Sequence, residues 1–266
     1  MRFKNKFLLN YLKSAPLALA IERAIECEML SRQEVIGRIL DIGCGDGLLA
    51  FVLFDEKIDV GIDPNARELI RAKQYGKYNQ LIQCHGSDIP VRSGSFNMIF
   101  SNSVLEHIRE LKPVLNESYR LLAPGGRFLV TVPTDMFEEF TVIYQILYGL
   151  GLETLSEKYR KVFNNFWRQI HHYRREEWEK IFRAAGFNIV ESKEYKSKIV
   201  CLVSDLLVPF ALPSFIAKKL FSRWIISKSL RKIYIYPFYL IVRSIIKRYE
   251  SSDQKGGLIF FFLAKE

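Results

Sequence analysis

The stretch ILDIGCGDG, from Ile39 to Gly47, decides the fold of this 266-residue chain. An apolar run ends on the acid Asp41, and three glycines then alternate with short side chains. A second short apolar run ends on Asp63, 20 residues after Gly43. In parallel α/β sheets a glycine turn lets the backbone approach a nucleoside, and an acid at the tip of the next strand accepts from ribose hydroxyls. The pattern therefore predicts a nucleoside site at the carboxyl edge of a parallel sheet.

The spacing of the glycines separates two classes of cofactor. Dinucleotide sites use G-x-G-x-x-G, and their turn faces a pyrophosphate. Here the glycines fall as G-x-G-x-G, and the acids Asp41 and Asp46 flank the turn. Two carboxylates are poorly placed beside a pyrophosphate but suit a ligand that has an ammonium group and no phosphate. The turn therefore argues against a NAD-dependent oxidoreductase and favours S-adenosylmethionine (SAM).

These residues give the chain a resemblance to a known family. It is similar to the class I SAM-dependent methyltransferases, in the methyltransferase type 11 group that includes the ubiquinone-type enzymes. The similarity covers roughly residues 35–135, 171–198 and the last strand. It implies an α/β fold with a Rossmann-like, seven-stranded, mostly parallel sheet. The last strand of that sheet would be antiparallel, and helices would flank the sheet and form insertions.

The resemblance also implies roles for the residues of the turn. Gly43, Cys44 and Gly45 would wrap the methionine part of the cofactor. Asp41 would orient the amino end of that part, and Asp63 would hold the ribose.

Two later segments resemble further parts of the family's cofactor site. In the loop 86–91, Asp88 and the backbone N–H of Ile89 would read the adenine edge. Asn102 ends the run that matches the fourth strand, and it is a further candidate for contact with the cofactor. An acid before a proline-containing turn is also common for purely local reasons, which leaves a structural role open for Asp88.

The catalytic candidate is His107. An oxygen nucleophile would benefit from a general base near neutral pH, and His107 or His172 could serve, whereas a carbon nucleophile in an activated ring needs less help. Both histidines lie near predicted helix starts, where capping or packing roles are common.

Composition limits the other classes of site and partner. The four cysteines lie far apart and form no C-x-x-C pair, so the sequence predicts no metal or redox site and fits a reducing cytosol. No N-P-P-Y-type tetrapeptide follows the fourth strand, and the positive charge lies far along the chain from the cofactor turn. We therefore expect no nucleic-acid partner.

The chain divides into four parts by pattern. Residues 1–36 predict leading helices packed on the core, and 37–198 predict the SAM-binding core. Within that core, 136–170 predict a helical cap whose aromatic stripe fits either a core or a substrate pocket. Residues 199–254 predict a basic, apolar helical insertion, and 255–266 the final core strand.

The insertion carries most of the chain's net charge of +10. Residues 199–249 contain nine Lys or Arg and one Asp, and no acid occurs from 206 to 249. Residues 199–217 are apolar but are interrupted by Asp205 and two prolines, so a spanning helix is not expected. A helix over 237–249 places apolar residues on one face and basic ones on the other, as in helices that lie in a membrane interface. The apolar set is Phe238, Ile241, Val242, Ile245, Ile246 and Tyr249.

The sequence thus predicts a SAM-dependent methyltransferase that acts on a small, hydrophobic or lipid-linked acceptor. We expect it in the cytoplasm, bound to an anionic membrane surface. Two alternatives stay open. The acceptor could be a soluble metabolite or saccharide, with the insertion as a substrate lid or dimer surface, or the chain could be a non-catalytic SAM-fold protein that binds membranes or partners. The sequence does not predict the oligomeric state.

Overall fold

Seven strands form one sheet in the computed structural model, which describes residues 1–225, 228–250 and 255–266. The strand order is β3-β2-β1-β4-β5-β7-β6, and β7 runs antiparallel to both of its neighbours while the other strands are parallel. This confirms the predicted fold class. The strands are β1 Ile39–Ile42, β2 Ile58–Ile62, β3 Tyr78–Ile82, β4 Phe96–Asn102, β5 Leu122–Pro133, β6 Asn188–Ser197 and β7 Gly256–Ala264.

Helices cover both faces of the sheet, and its central strands are therefore buried on both sides. All four residues of β1 and the first eight of β7 are buried, as expected for strands between two helical layers. One layer includes α1, α2, α3 and α4, and the other includes α5 and α8. Their bounds are α1 Phe7–Ser14, α2 Leu17–Leu30, α3 Leu48–Leu53, α4 Ala66–Tyr75, α5 Leu111–Leu121 and α8 Arg175–Ala184.

The remaining helices form the cap and the insertion. The cap holds α6 Val142–Gly149 and α7 Glu153–Trp167. The insertion holds α9 Lys198–Leu206, α10 Leu212–Phe221 and α11 Lys228–Tyr249, with a short 3₁₀ helix at Pro209–Ala211. Another 3₁₀ helix, Leu105–His107, follows β4. The predicted insertion residues 226–227 and 251–254 lie outside the described residues.

Helix α11 differs from the helix that its pattern predicts. It starts nine residues earlier, at Lys228, and contains Pro237 in its interior. Its side chains pack against the leading helices, so that Val242 is only 2% exposed whereas Ile241 is 60% exposed. Arg231 reinforces this packing, because its guanidinium donates to the backbone carbonyls of Leu12 and Ala15. The protein's own core therefore covers much of the apolar face that was predicted to contact a membrane. A helix that packs on a core and a helix that lies in a membrane interface have the same amphipathic pattern.

No single helix in the described part of the chain is long and apolar enough to cross a bilayer. The segments Lys198–Leu206 and Pro209–Phe221 meet that length and composition only as a pair, and the pair is bent by 49°.

Candidate active site

The glycine turn lies between β1 and α3, at the carboxyl edge of the sheet. Gly43, Gly45 and Gly47 have φ angles of +72°, +53° and +76°, in the left-handed region that favours glycine. A Cβ on Gly43 would lie 2.5 Å from the Val104 side chain, whereas a Cβ on Gly45 would meet no atom within 4 Å. The turn is thus packed closely behind Gly43 and open at Gly45, where a ligand can approach the backbone.

Asp63 ties this turn to the end of β2. One carboxylate oxygen accepts from the Gly45 N–H at 3.1 Å, and the other accepts from the Asn65 N–H at 2.8 Å. The N–H groups of Gly43 and Cys44 donate to the Ile62 carbonyl, each at 2.9 Å. The structure therefore brings the predicted ribose acid against the predicted methionine turn.

A small cavity of about 230 Å³ beside the turn collects five of the predicted cofactor residues. They are Asp41, Gly43, Cys44, Gly45 and Asn102. Asp41 accepts from the Tyr78 hydroxyl at 2.7 Å, and burial raises the pKa of its carboxyl to about 6.

Asn102 provides the test of whether this cavity fits the methionine end of SAM. Its amide nitrogen donates to Glu26 at 2.9 Å, but its carbonyl oxygen is buried and has no hydrogen-bond partner among the described residues. A buried acceptor without a partner is costly unless a ligand supplies the donor. An ammonium group is such a donor, so the cavity fits this end of the cofactor.

The two residues predicted to read the adenine edge do not line the cleft beside the turn. A larger cleft of about 680 Å³ continues from the turn and is lined by Asp63 and by residues 84–87, but not by Asp88 or Ile89. Asp88 is exposed, and the Ile89 N–H already donates to Glu117 at 2.8 Å. The physical reason is that β3 ends at Ile82, so the chain crosses the carboxyl edge before it reaches Asp88. Counting from the end of the third strand would have pointed to 84–87.

A third cavity, of about 290 Å³, shares Arg23, Ser103 and Trp224 with the small cavity beside the turn, and six aromatic side chains form part of its wall. We call it the acceptor cavity. Helix α2, the cap and the insertion all contribute to it, and Ser103, just after β4, lines it as well as both cofactor cavities. Its aromatic lining consists of Phe137, Phe140, Phe163, Trp167, Phe215 and Trp224.

The aromatic stripe of the cap therefore serves both of the uses that its pattern allows. Phe137 and Phe140 line the acceptor cavity, Tyr144 is buried in the protein, and Tyr148 is 56% exposed.

Paired charges form the polar side of the acceptor cavity. Lys196 lies 2.5 Å from Glu22, and Arg23 lies 2.7 Å from Glu26. Arg23 also donates to the Ser103 hydroxyl at 2.8 Å. Sequence reasoning did not assign these residues to the site. The available signal was the cluster of charges on α2, a helix that is otherwise apolar.

His107 lines the acceptor cavity and also the larger cleft that Asp63 lines. Its Nδ1 lies 3.0 Å from the Arg168 carbonyl, which can only accept, so Nδ1 carries the proton and Nε2 keeps its lone pair. Burial lowers the pKa of His107, so the ring is neutral at pH 7. This is the form that a general base needs. His172, by contrast, lies beside Glu138 at 3.5 Å and does not line the cavity.

Glu106 precedes His107 and also lines the acceptor cavity. Its side chain is 4% exposed, and one oxygen has no hydrogen-bond partner within the described ranges. Burial raises the pKa of Glu106 to about 8, so the group is mostly protonated at neutral pH. It is therefore an uncharged hydrogen-bonding group on the cavity wall.

We expect Glu106 to make the protein less stable as the pH rises. Between the ordinary carboxyl pKa and about 8 the folded state binds more protons than the unfolded state, so the free energy of unfolding falls through this window. Glu106→Gln should remove this loss. In urea unfolding the variant should be close to the wild type at pH 5 and more stable at pH 8, by on the order of a few kcal/mol. The exposed Glu110→Gln is the control, and equal pH slopes for wild type and Glu106→Gln would contradict the assignment.

Comparisons with known proteins agree with this geometry. A family profile described as a methyltransferase domain matches residues 15–192. YrhH, a protein named as a methyltransferase in Bacillus subtilis (strain 168), is 29% identical over 127 residues, which are 45% of this chain and 70% of YrhH. The ubiquinone biosynthesis O-methyltransferase of Rhodopseudomonas palustris (strain BisB18) is 26% identical over 141 residues, which are 49% of this chain and 55% of that enzyme.

A solved structure shows the same fold over nearly the whole chain. A SAM-dependent methyltransferase from Thermotoga maritima superposes with a TM-score of 0.60 at 17% identity, covering 94% of this chain and 92% of that one. The family profile matches more than half of the chain, and the glycine turn and strand order agree with it. The chain therefore belongs to the class I SAM-dependent methyltransferase family.

Proposed function

We propose that this protein transfers a methyl group from SAM to a small, hydrophobic or lipid-linked acceptor at a membrane face. The observation that carries the proposal is the acceptor cavity, with its six aromatic side chains, which shares wall residues with the small cavity of the cofactor turn. Aromatic walls favour an apolar acceptor, because they offer apolar surface and few hydrogen-bonding groups.

The chemistry needs orientation, exclusion of water and a place for one proton. SAM, when bound, supplies a methyl group that its sulfonium has already activated. Ser103 lines both cofactor cavities and the acceptor cavity, so the acceptor reaches the cofactor through this point. The aromatic walls exclude water and align the nucleophile, which is the main task in a displacement reaction. For a hydroxyl acceptor, His107 Nε2 would take the proton, and Glu106 would hydrogen-bond the polar end of the acceptor.

The membrane part of the proposal rests on a large apolar surface of the insertion. Phe215 and Trp167 line the acceptor cavity, and their rings lie 6.3 Å apart where α10 meets α7. Beyond them α10 and the segment before it present six large apolar side chains, each at least half exposed. These are Leu206 (59%), Phe210 (73%), Leu212 (62%), Ile216 (50%), Leu220 (67%) and Phe221 (61%), and we call them the docking surface.

Charge favours an anionic membrane as the occupant of the docking surface. The exposed cations Lys219 and Arg223 lie beside it, and no acid occurs between residues 206 and 249. Apolar side chains flanked by basic groups are typical of protein surfaces that insert at an anionic interface. The proposed location is therefore the cytoplasmic face of a membrane, with α10 rather than α11 as the main contact.

One specific observation favours the alternative in which the insertion is a substrate lid. Seven described residues of the insertion line the acceptor cavity, from Cys201 to Trp224. A lid that closes over a soluble metabolite or saccharide would have the same wall. The exposed docking surface distinguishes the two, because a lid over a soluble acceptor has no need of it, and a second copy of the chain could cover it in a dimer.

The test combines methyl-labelled SAM with vesicles of anionic and of neutral lipid, a lipid extract and an aqueous metabolite extract. We expect sedimentation with anionic vesicles, partial release by salt, and label in the lipid extract. The double change Phe210→Glu and Phe221→Glu should cut both sedimentation and lipid labelling at least several-fold, since two charges would enter the interface. Neither residue lines the acceptor cavity.

The control is Ile36→Glu with Val190→Glu, which adds the same charge at sites 58% and 60% exposed, just before β1 and on β6, outside the docking surface. This control variant should sediment with anionic vesicles and label the lipid extract to the same extent as the wild type. Label in the aqueous fraction would favour the soluble acceptor. A protein that stays in the supernatant with both vesicles would overturn the membrane assignment.

A further inference from the structure

Two side chains of the insertion reach the cofactor turn. The Lys218 ammonium lies 2.9 Å from Asp46, in the turn, and 3.1 Å from Glu68, on α4. The Trp224 indole N–H donates to the same Asp46 oxygen at 2.7 Å, and the Lys218 ammonium lies 4.2 Å from the Trp224 ring centre. Arg71, on α4, donates to the Lys218 carbonyl at 3.1 Å. The insertion around α10 therefore contacts the cofactor turn as well as the cap.

Both side chains line the small cavity that fits the methionine end of SAM. Three acids, Asp41, Asp46 and Glu68, line it as well. The methionine end of SAM carries an ammonium and a carboxylate, and a carboxylate placed among three acids needs a cation beside it.

Arg23 and Lys218 are the cations that line this cavity in the described part of the chain. Arg23 is engaged with Glu26 and Ser103, on the side of the acceptor cavity. Lys218 lies at ion-pair distance from two carboxylates, and an ammonium has three N–H donors, so at least one donor is left for a further acceptor. Its side chain is 18% exposed, so a bond from the third donor would be little screened by solvent.

We propose that Lys218 binds the carboxylate of the methionine part of SAM and that Trp224 closes this end of the site. The insertion is then part of the cofactor site as well as a wall of the acceptor cavity. Removing residues 199–254 should therefore weaken SAM binding. This inference needs no assumption about the acceptor or about a membrane.

Two ligands separate recognition of the carboxylate from general support of the site. S-adenosylhomocysteine (SAH) carries the amino-acid group, and 5′-methylthioadenosine has the same nucleoside without it. Calorimetry should show that Lys218→Met weakens SAH binding about tenfold, as expected for the loss of a charge-assisted hydrogen bond. Binding of 5′-methylthioadenosine should stay within about twofold of the wild type. This ligand lacks the amino-acid group, and its nucleoside is expected to bind away from Lys218, in the larger cleft that Asp63 lines.

The controls use the same helix. Methionine keeps most of the apolar stem of Lys218 against Trp224, Lys218→Arg should restore much of the SAH affinity, and Lys219→Met at the exposed neighbouring position should change neither ligand. Trp224 fluorescence should change on SAH binding, and Trp224→Phe should remove that change.

Equal weakening of both ligands by Lys218→Met would show only a supporting role, and unchanged SAH binding would also overturn the proposal. A wild-type protein that binds neither ligand would overturn the assignment of SAM as the cofactor, and the role of Lys218 with it.

Discussion

Gly45→Val is expected to lose SAM and SAH binding by more than about 100-fold, which corresponds to about 2.7 kcal/mol. The φ of Gly45 is +53°, its missing Cβ would meet no atom within 4 Å, and the residue lines the small cavity. A valine there would fill the space that the ligand needs and would strain the backbone, since β-branched residues avoid positive φ. Calorimetry with SAH measures the loss, and far-UV circular dichroism should stay nearly unchanged.

Gly76→Val is a matched control for backbone strain. Gly76 ends α4 with a φ of +63°, a Cβ there would also meet no atom within 4 Å, and the residue lines none of the three cavities described above. Both variants should lose a comparable amount of stability, but only Gly45→Val should lose the ligand. Normal SAH binding by Gly45→Val would mean that the cofactor lies elsewhere.

Asp63→Ala is expected to weaken SAM binding by about 1.5–3 kcal/mol, or roughly 10- to 150-fold. The carboxylate is predicted to bind the ribose hydroxyls, and it also holds the N–H groups of Gly45 and Asn65. Its removal therefore takes away ligand contacts and loosens the turn that wraps the methionine part. Calorimetry with SAM and with SAH checks the loss, which should be similar for both because they share the ribose.

Asp59→Ala separates the ligand contact from the structural one. Asp59 also lies on β2 and accepts a backbone N–H from β1, that of Ile39, at 2.9 Å. It sits near the start of the strand, away from the carboxyl edge. We expect this variant to lose stability but to bind SAM normally. If Asp63→Ala keeps wild-type affinity while Asp59→Ala loses it, the ribose assignment is wrong.

The local backbone rules of the turn made much of the site predictable from sequence alone. A strand that ends on an acid, glycines at alternate positions and a second acid 20 residues after Gly43 leave few conformations open. The order of apolar runs then predicted a parallel α/β sheet, because short connections and buried strands allow few topologies. The resemblance to the methyltransferase family implied the seven strands and the antiparallel last strand. Asp41, Gly43, Cys44, Gly45 and Asn102 meet in one cavity for this reason.

Contacts between distant segments were decided only by the tertiary structure. Lys218 meets Asp46 across 172 residues, and Lys196 meets Glu22 across 174, so no spacing rule could indicate either pair. The same limit applies to α11, since an amphipathic pattern specifies that an apolar face will be covered but not by what. Here the leading helices cover part of α11, and the exposed apolar side chains of the insertion lie on and just before α10. Sequence thus determined the cofactor turn and the sheet, while packing between remote parts of the chain decided the acceptor cavity and its charged wall.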